Sequence, residues 1–175
     1  IFPVTYAAVD RQLPEVLAKV KPDALLMFGL AARTPYLRIE SRARNAVTML
    51  WPDAANTRSS KRGIAGRAEA MTFGPHTARL LRAARLTGVD ARPSRDAGAY
   101  LCNYLSWRAI EATQRHPRSL PLAAFIHIPL VPRDAAHSKK PEAVSFEQLV
   151  DAGEAMMMTL VQRARAARYC RHPYP

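Results

Sequence analysis

Three residues of this chain have side chains suited to acyl transfer, and they occur in the order Glu40, Cys102, His127. Cys102 lies in Ser94-Arg95-Asp96-Ala97-Gly98-Ala99-Tyr100-Leu101-Cys102-Asn103, a strand-to-turn-to-helix pattern with Gly98 in the turn. A cysteine early in a helix faces unpaired backbone N–H groups and the positive end of the helix dipole. Both favour the thiolate, and the same N–H groups can stabilise an oxyanion. The plain alternative is a small buried hydrophobe, the usual fate of a reduced cysteine.

His127 stands in the apolar run Phe125-Ile126-His127-Ile128-Pro129. An imidazole there must find a hydrogen-bond partner or be costly to bury. Pro129 closes the strand, and sites in open α/β sheets lie beyond the carboxyl ends of strands. A catalytic base fits that place; a satisfied core histidine fits it too. Glu40 sits among Arg38, Arg42 and Arg44. It reads either as a surface ion pair or as the carboxylate that orients His127.

The elements that carry these residues alternate between strand and helix, so the expected fold class is α/β, a three-layer α/β/α sandwich around a mixed, mostly parallel sheet. Residues 1–6 read as extended. Leu13, Val16, Leu17 and Val20 have helical spacing, with Pro14 in the first turn. Ala24 to Phe28 and Ala43 to Leu50 read as strands, and 56–67 as a mobile surface loop. Leu80, Leu81 and Ala84 mark a helix over 77–87 that Gly88 stops. A strand over 89–93, a helix over 97–115 and a strand over 123–129 follow. A polar loop spans 133–142, with Lys139 and Lys140. Ser145 and Gln148 form a capping box for a last helix, in which Met156 to Met158 read as core, before a tail over 169–175.

With 175 residues, 49% of them apolar, the chain suffices for a single domain over 1–175. No apolar run reaches the roughly 20 residues that cross a bilayer, and no signal peptide is visible, so a cytoplasmic protein without membrane contact is expected. Two cysteines, Cys102 and Cys170, make no disulfide framework. His76, His116, His137 and His172 lack ligand spacing, so no metal and no cofactor is expected. The net charge of +12 raises the question of nucleic acid. The arginines are scattered and no nucleic-acid motif accompanies them, so no nucleic-acid partner is expected.

Ser94-x-x-Ala97-Gly98-x-Tyr100-Leu101-Cys102-Asn103 resembles the nucleophile motif of the pyroglutamyl peptidase I family, the pyrrolidone-carboxylate peptidases. Phe125-Ile126-His127-Ile128-Pro129 resembles its histidine motif, and the stretch from Gly29 through Glu40 to Asn45 its glutamate segment. The resemblance implies an α/β/α cysteine peptidase without metal, acting on pyroglutamyl peptides through a thioester, with Cys102 as nucleophile, His127 as base and acid, and Glu40 as its partner. It implies that Tyr100 and Leu101 wall the substrate pocket, and that Leu30 stands where the family has an amide. Homo-oligomers occur in the family. The family's amino-terminal strand and Phe-bearing loop have no counterpart here. A homologue with another amide substrate, or one inactive as truncated, is the alternative, ahead of a basic nucleic-acid-binding protein.

Overall fold

The computed structural model describes residues 1–66, 68–115, 122–131 and 144–169. In chain order the elements are α1 (Tyr6–Val20), β1 (Ala24–Leu30), β2 (Leu37–Glu40), β3 (Arg42–Arg44), β4 (Ala70–Thr72), α2 (His76–Leu86), β5 (Ala91–Ser94), α3 (Leu101–Arg115), β6 (Leu122–Ile128) and α4 (Phe146–Tyr169). The fold is α/β, as expected. The chain groups into two compact units: residues 1–25, 42–73 and 95–123, and residues 26–41, 74–94 and 124–175.

The first unit is built on α1, the β3–β4 hairpin and α3. Thr5, extended at φ −137° and ψ 145°, caps α1 by accepting from Ala8 N, so Tyr6 belongs to the helix and not to the extended segment read over 1–6. The cap also puts Pro14 inside the helix rather than in its first turn. Ala8, Val9 and Leu13 form the buried face, whereas Val16 and Val20 are exposed. Val9, Val47, Leu101 and Tyr104 make a core cluster, with Tyr6, Ile64, Tyr100 and Leu105 packed on it. Asp53, in the segment after β3, accepts from the N–H groups of Thr57, Ala55 and Tyr6. The Thr57 bond foremost holds its carboxyl below the usual range, with Tyr6 and Ala55 adding to it against the opposing effect of burial.

The second unit carries a four-stranded sheet of order β1-β6-β2-β5, in which β2 runs parallel to β5 and antiparallel to β6. Pro93 is tolerated because β5 is the edge strand, where a missing N–H breaks no ladder. α2 buries Leu80 and Ala84, and α4 buries Ala152, Met156, Leu160 and Ala164. Burial of a leucine or methionine is worth about 2 kcal/mol. Ser145 Oγ accepts from Gln148 N while Gln148 Oε1 accepts from Ser145 N, the expected capping box.

Several expected elements differ. The strand read over 43–50 is displaced: pairing occurs at β2 and β3, and 45–50 is irregular. The strand read over 89–93 begins at Ala91, and the helix read from 97 begins at Leu101. β4 carried no recognisable pattern. Met157 and Met158 are exposed, because only Met156 falls on the buried stripe of α4. Tyr169 belongs to α4 rather than to a tail. Of the loop read over 56–67, residues 56–66 lack regular structure, and Asn45 ties their end: Asn45 Nδ2 donates to Ala65 O and Ala68 O, and Oδ1 accepts from Ile64 N and Ala65 N. Arg67, the 133–142 loop, residues 170–175, His116, His137, Cys170 and His172 lie outside the described residues.

Candidate active site

Register decides which side chains meet at His127. In the β2–β6 pairing Arg38 lies opposite His127 and Glu40 opposite Phe125. Residues two apart on a strand share a face, so all four side chains emerge together. Glu40 then reaches His127 diagonally, a separation that long side chains bridge. His127 Nδ1 is 2.7 Å from Glu40 Oε1. The glutamate is fully buried and the histidine 3% exposed. The Phe125 ring packs edge-on against the imidazole, with centroids 5.0 Å apart.

Glu40 is therefore not a surface ion pair. Its short bond to the imidazole has a chemical consequence. With Glu40 ionised and His127 neutral, Nδ1 is the donor and Nε2 carries the lone pair that a base needs. Arg38 approaches the same pair, with Nη2 3.1 Å from Nδ1 and Nε 3.5 Å from Oε1. Where Nδ1 donates to Glu40, the Nη2–Nδ1 approach brings two donors together, and the attraction of the guanidinium is then to the carboxylate.

Cys102 is the second residue of α3, within the first turn where the dipole acts. It is partly buried and in no disulfide. The turn ahead of it is strongly braced. Gly98 has φ 86°, a conformation side chains rarely adopt. Asp96 Oδ1 accepts from Gly98 N and pairs with Arg44 Nη2 at 2.9 Å. Arg42 Nε donates to Arg95 O and Arg44 Nη2 to Gly98 O. Asn103, fully buried, completes the brace: Oδ1 accepts from Arg44 N, and Nδ2 donates to Arg44 O and Ala46 O. The arginines around Glu40 thus have separate tasks, which their sequence clustering hides.

The remaining candidates fall in different settings. Tyr100 donates its hydroxyl to Pro52 O at 2.8 Å, and Leu101 is buried in the core cluster. Leu30, the last residue of β1, is 57% exposed. Sequence reasoning missed the roles of Arg38 and Asn103. Period-two spacing of Arg38 and Glu40 was the available signal for the first, and it was obscured by reading the strand too late. Among the described residues no group of His, Cys, Asp or Glu is arranged to hold a metal ion, and no helix is long and apolar enough to cross a membrane.

A thiol in the first turn of a helix and a histidine oriented by a carboxylate are the parts of a cysteine-type hydrolase. Residues 1–163 match the pyroglutamyl peptidase family, and the chain belongs to that family of cysteine peptidases. The pyrrolidone-carboxylate peptidase of Vibrio vulnificus is 29% identical over 168 residues, which is 95% of this chain and 76% of that protein. The Pyrococcus furiosus enzyme of the same name is 26% identical over 159 residues, 87% and 75% of the two chains. Pyrrolidone carboxyl peptidase from Thermococcus litoralis has the same fold, with a TM-score of 0.84 at 22% identity, covering 95% of this chain and 78% of that one. For pyroglutamyl peptidase I from Bacillus amyloliquefaciens the TM-score is 0.78 at 25% identity, with coverage of 90% and 74%.

Proposed function

We propose that the chain removes N-terminal pyroglutamate from peptides, with Cys102 as nucleophile, His127 as general base and acid, and Glu40 as the partner that orients His127. The observation that carries the reading is the Glu40–His127 hydrogen bond of 2.7 Å, formed by residues of two motifs that resemble the family's own. The Cys102 sulfur attacks the carbonyl of the pyroglutamyl residue as its proton passes to His127. The tetrahedral intermediate collapses to a thioester as the imidazolium gives that proton to the leaving amine. Water, deprotonated by His127, then attacks the thioester, and the thiol is restored. The developing negative charge benefits from the positive end of α3.

Substrate recognition is proposed to use Leu30, Tyr100 and Leu101. A neutral lactam suits apolar walls with a few placed hydrogen bonds. Leu101, taken up in the core cluster, would act by fixing Tyr100 beside it. Exposed Leu30 favours a second reading, a peptidase of the same mechanism that accepts a different N-terminal amide, because a leucine offers the lactam no hydrogen bond.

The test is release of a fluorophore from a pyroglutamyl amide. Cys102→Ala is expected to abolish it, a loss of about 10⁴-fold or more. Turnover that survives this substitution overturns the mechanism. Activity on other N-terminal amides in place of the pyroglutamyl one selects the second reading.

A further inference from the structure

We propose that Arg38 is a positioning residue for the Glu40–His127 pair: its fixed positive charge keeps His127 Nε2 bare, so that this nitrogen can take a proton. The inference rests on the reading of His127 as the base and extends it to a residue outside the Cys102, His127 and Glu40 set.

Glu40 and His127 are both buried. A buried carboxylate next to a neutral imidazole leaves one negative charge out of water, which is strongly disfavoured unless it is compensated. Two remedies exist: a cation beside the pair, or one more proton on it. A proton on Glu40 would make its hydroxyl the donor to Nδ1 and leave the ring N–H at Nε2. A proton on His127 would occupy both ring nitrogens. Either form removes the lone pair of Nε2.

Arg38 supplies the first remedy. Its guanidinium is permanently charged, its side chain is only 24% exposed, and its Nε lies 3.5 Å from Glu40 Oε1. Arg38 Nε and Glu40 Oε2 are buried and have no hydrogen-bond partner among the described residues, and the other contacts of the two groups, Arg38 Nη2 at 3.1 Å and Glu40 Oε1 at 2.7 Å, are to His127 Nδ1 itself. The neighbouring cation is already occupied. Arg92, the register partner of Arg38 on β5, pairs with Asp90 at 2.8 Å and lies over the Tyr36 ring, 3.9 Å from its centroid. Phe125, which flanks the imidazole, carries no charge.

The full chain, labelled with ¹⁵N-histidine, tests this at neutral pH through the ring-nitrogen shifts of His127, assigned by the signals lost in His127→Gln. The wild type is expected to show a bare Nε2, and Arg38→Met a protonated one. On a pyroglutamyl amide Arg38→Met is expected to lose about tenfold or more in kcat with KM within about twofold, since the base is affected and binding is not. Arg38→Lys restores the charge and is expected to recover most of both. Should Arg38→Met fail to fold, Arg38→Gln takes its place. A bare Nε2 in the uncharged variant overturns the proposal, as does an Arg38→Lys protein as impaired as Arg38→Met. A wild type without pyroglutamyl amidase activity would remove the proposed function, while the nitrogen shifts would still decide the role of Arg38.

Discussion

His127 Nδ1 lies 2.7 Å from Glu40 Oε1, and neither side chain has appreciable contact with solvent. The two residues come from antiparallel strands, and their meeting depends on register. A slip of one residue would turn either side chain to the opposite face of the sheet.

Glu40→Gln tests what the carboxylate does. The variant keeps the size of the side chain, but its amide can donate to Nδ1 and stabilise the wrong tautomer. A fall in kcat of about 10²- to 10⁴-fold is expected, the upper end matching the equivalent change in serine peptidases. Glu40→Ala leaves a cavity and removes the carboxylate that faces both His127 and Arg38, and should lower unfolding stability by about 3 kcal/mol in urea. Full activity in Glu40→Gln would show that the orientation of His127 comes from elsewhere.

Asn103 is expected to matter for stability more than its neutral side chain suggests. Its amide makes three bonds to the backbone of Arg44 and Ala46, at 2.8 to 2.9 Å. Asn103→Ala orphans those groups where water has little access, so a loss of about 2–4 kcal/mol is expected from chemical denaturation. Asn103→Asp retains an acceptor for Arg44 N and loses the donor, and its acidic oxygens would face two carbonyls. A change under about 0.5 kcal/mol in Asn103→Ala would mean that α3 is held by other contacts.

Tyr6 gives a prediction of opposite sign. Its hydroxyl is buried without a hydrogen-bond partner among the described residues. Its ring meets those of Tyr104 and Tyr100 edge-on, at 5.0 and 6.1 Å. Burial first, then Tyr100, Asp53 and Tyr104, raises its pKa from 10.0 to about 12. The unfolded chain ionises at the lower value, so this contribution is complete below pH 10 and is lost as pH rises toward 12. Tyr6→Phe removes both the unpaired hydroxyl and the titration. It is expected to be neutral or about 1 kcal/mol more stable at neutral pH. Its advantage over the wild type should widen through the alkaline range in urea unfolding. A marked loss at neutral pH would reveal a partner for the hydroxyl.

Legibility differed with the range of the interactions involved. The α2 helix and its Gly88 stop were readable because four or five local residues carry the signal, and the Ser145–Gln148 box because its two bonds close within one turn. The start of α3 was misread by four residues, since long-range bonds from Arg42 and Arg44 hold the 95–98 turn out of the helix. The β2 strand was read too late because Leu37 to Glu40 has few residues and two charges, and becomes a strand by pairing on both sides with β5 and β6.

The residue types needed for thiol acyl transfer, their order along the chain and their motif context were determined by the sequence alone. It also determined that an imidazole in so apolar a strand needs a partner, because that follows from solvation and not from shape. The motif resemblance pointed to Glu40 as that partner, and the tertiary structure decided how the two meet. Glu40 and His127 are far apart in the chain, and a two-residue periodicity with a particular register brings them within hydrogen-bond reach. The same register gave Arg38 to that pair, while Arg42 and Arg44 went to the turn before Cys102. Charge composition cannot assign such partners, since an arginine's task depends on which carboxylate or carbonyl the fold sets within reach of its guanidinium.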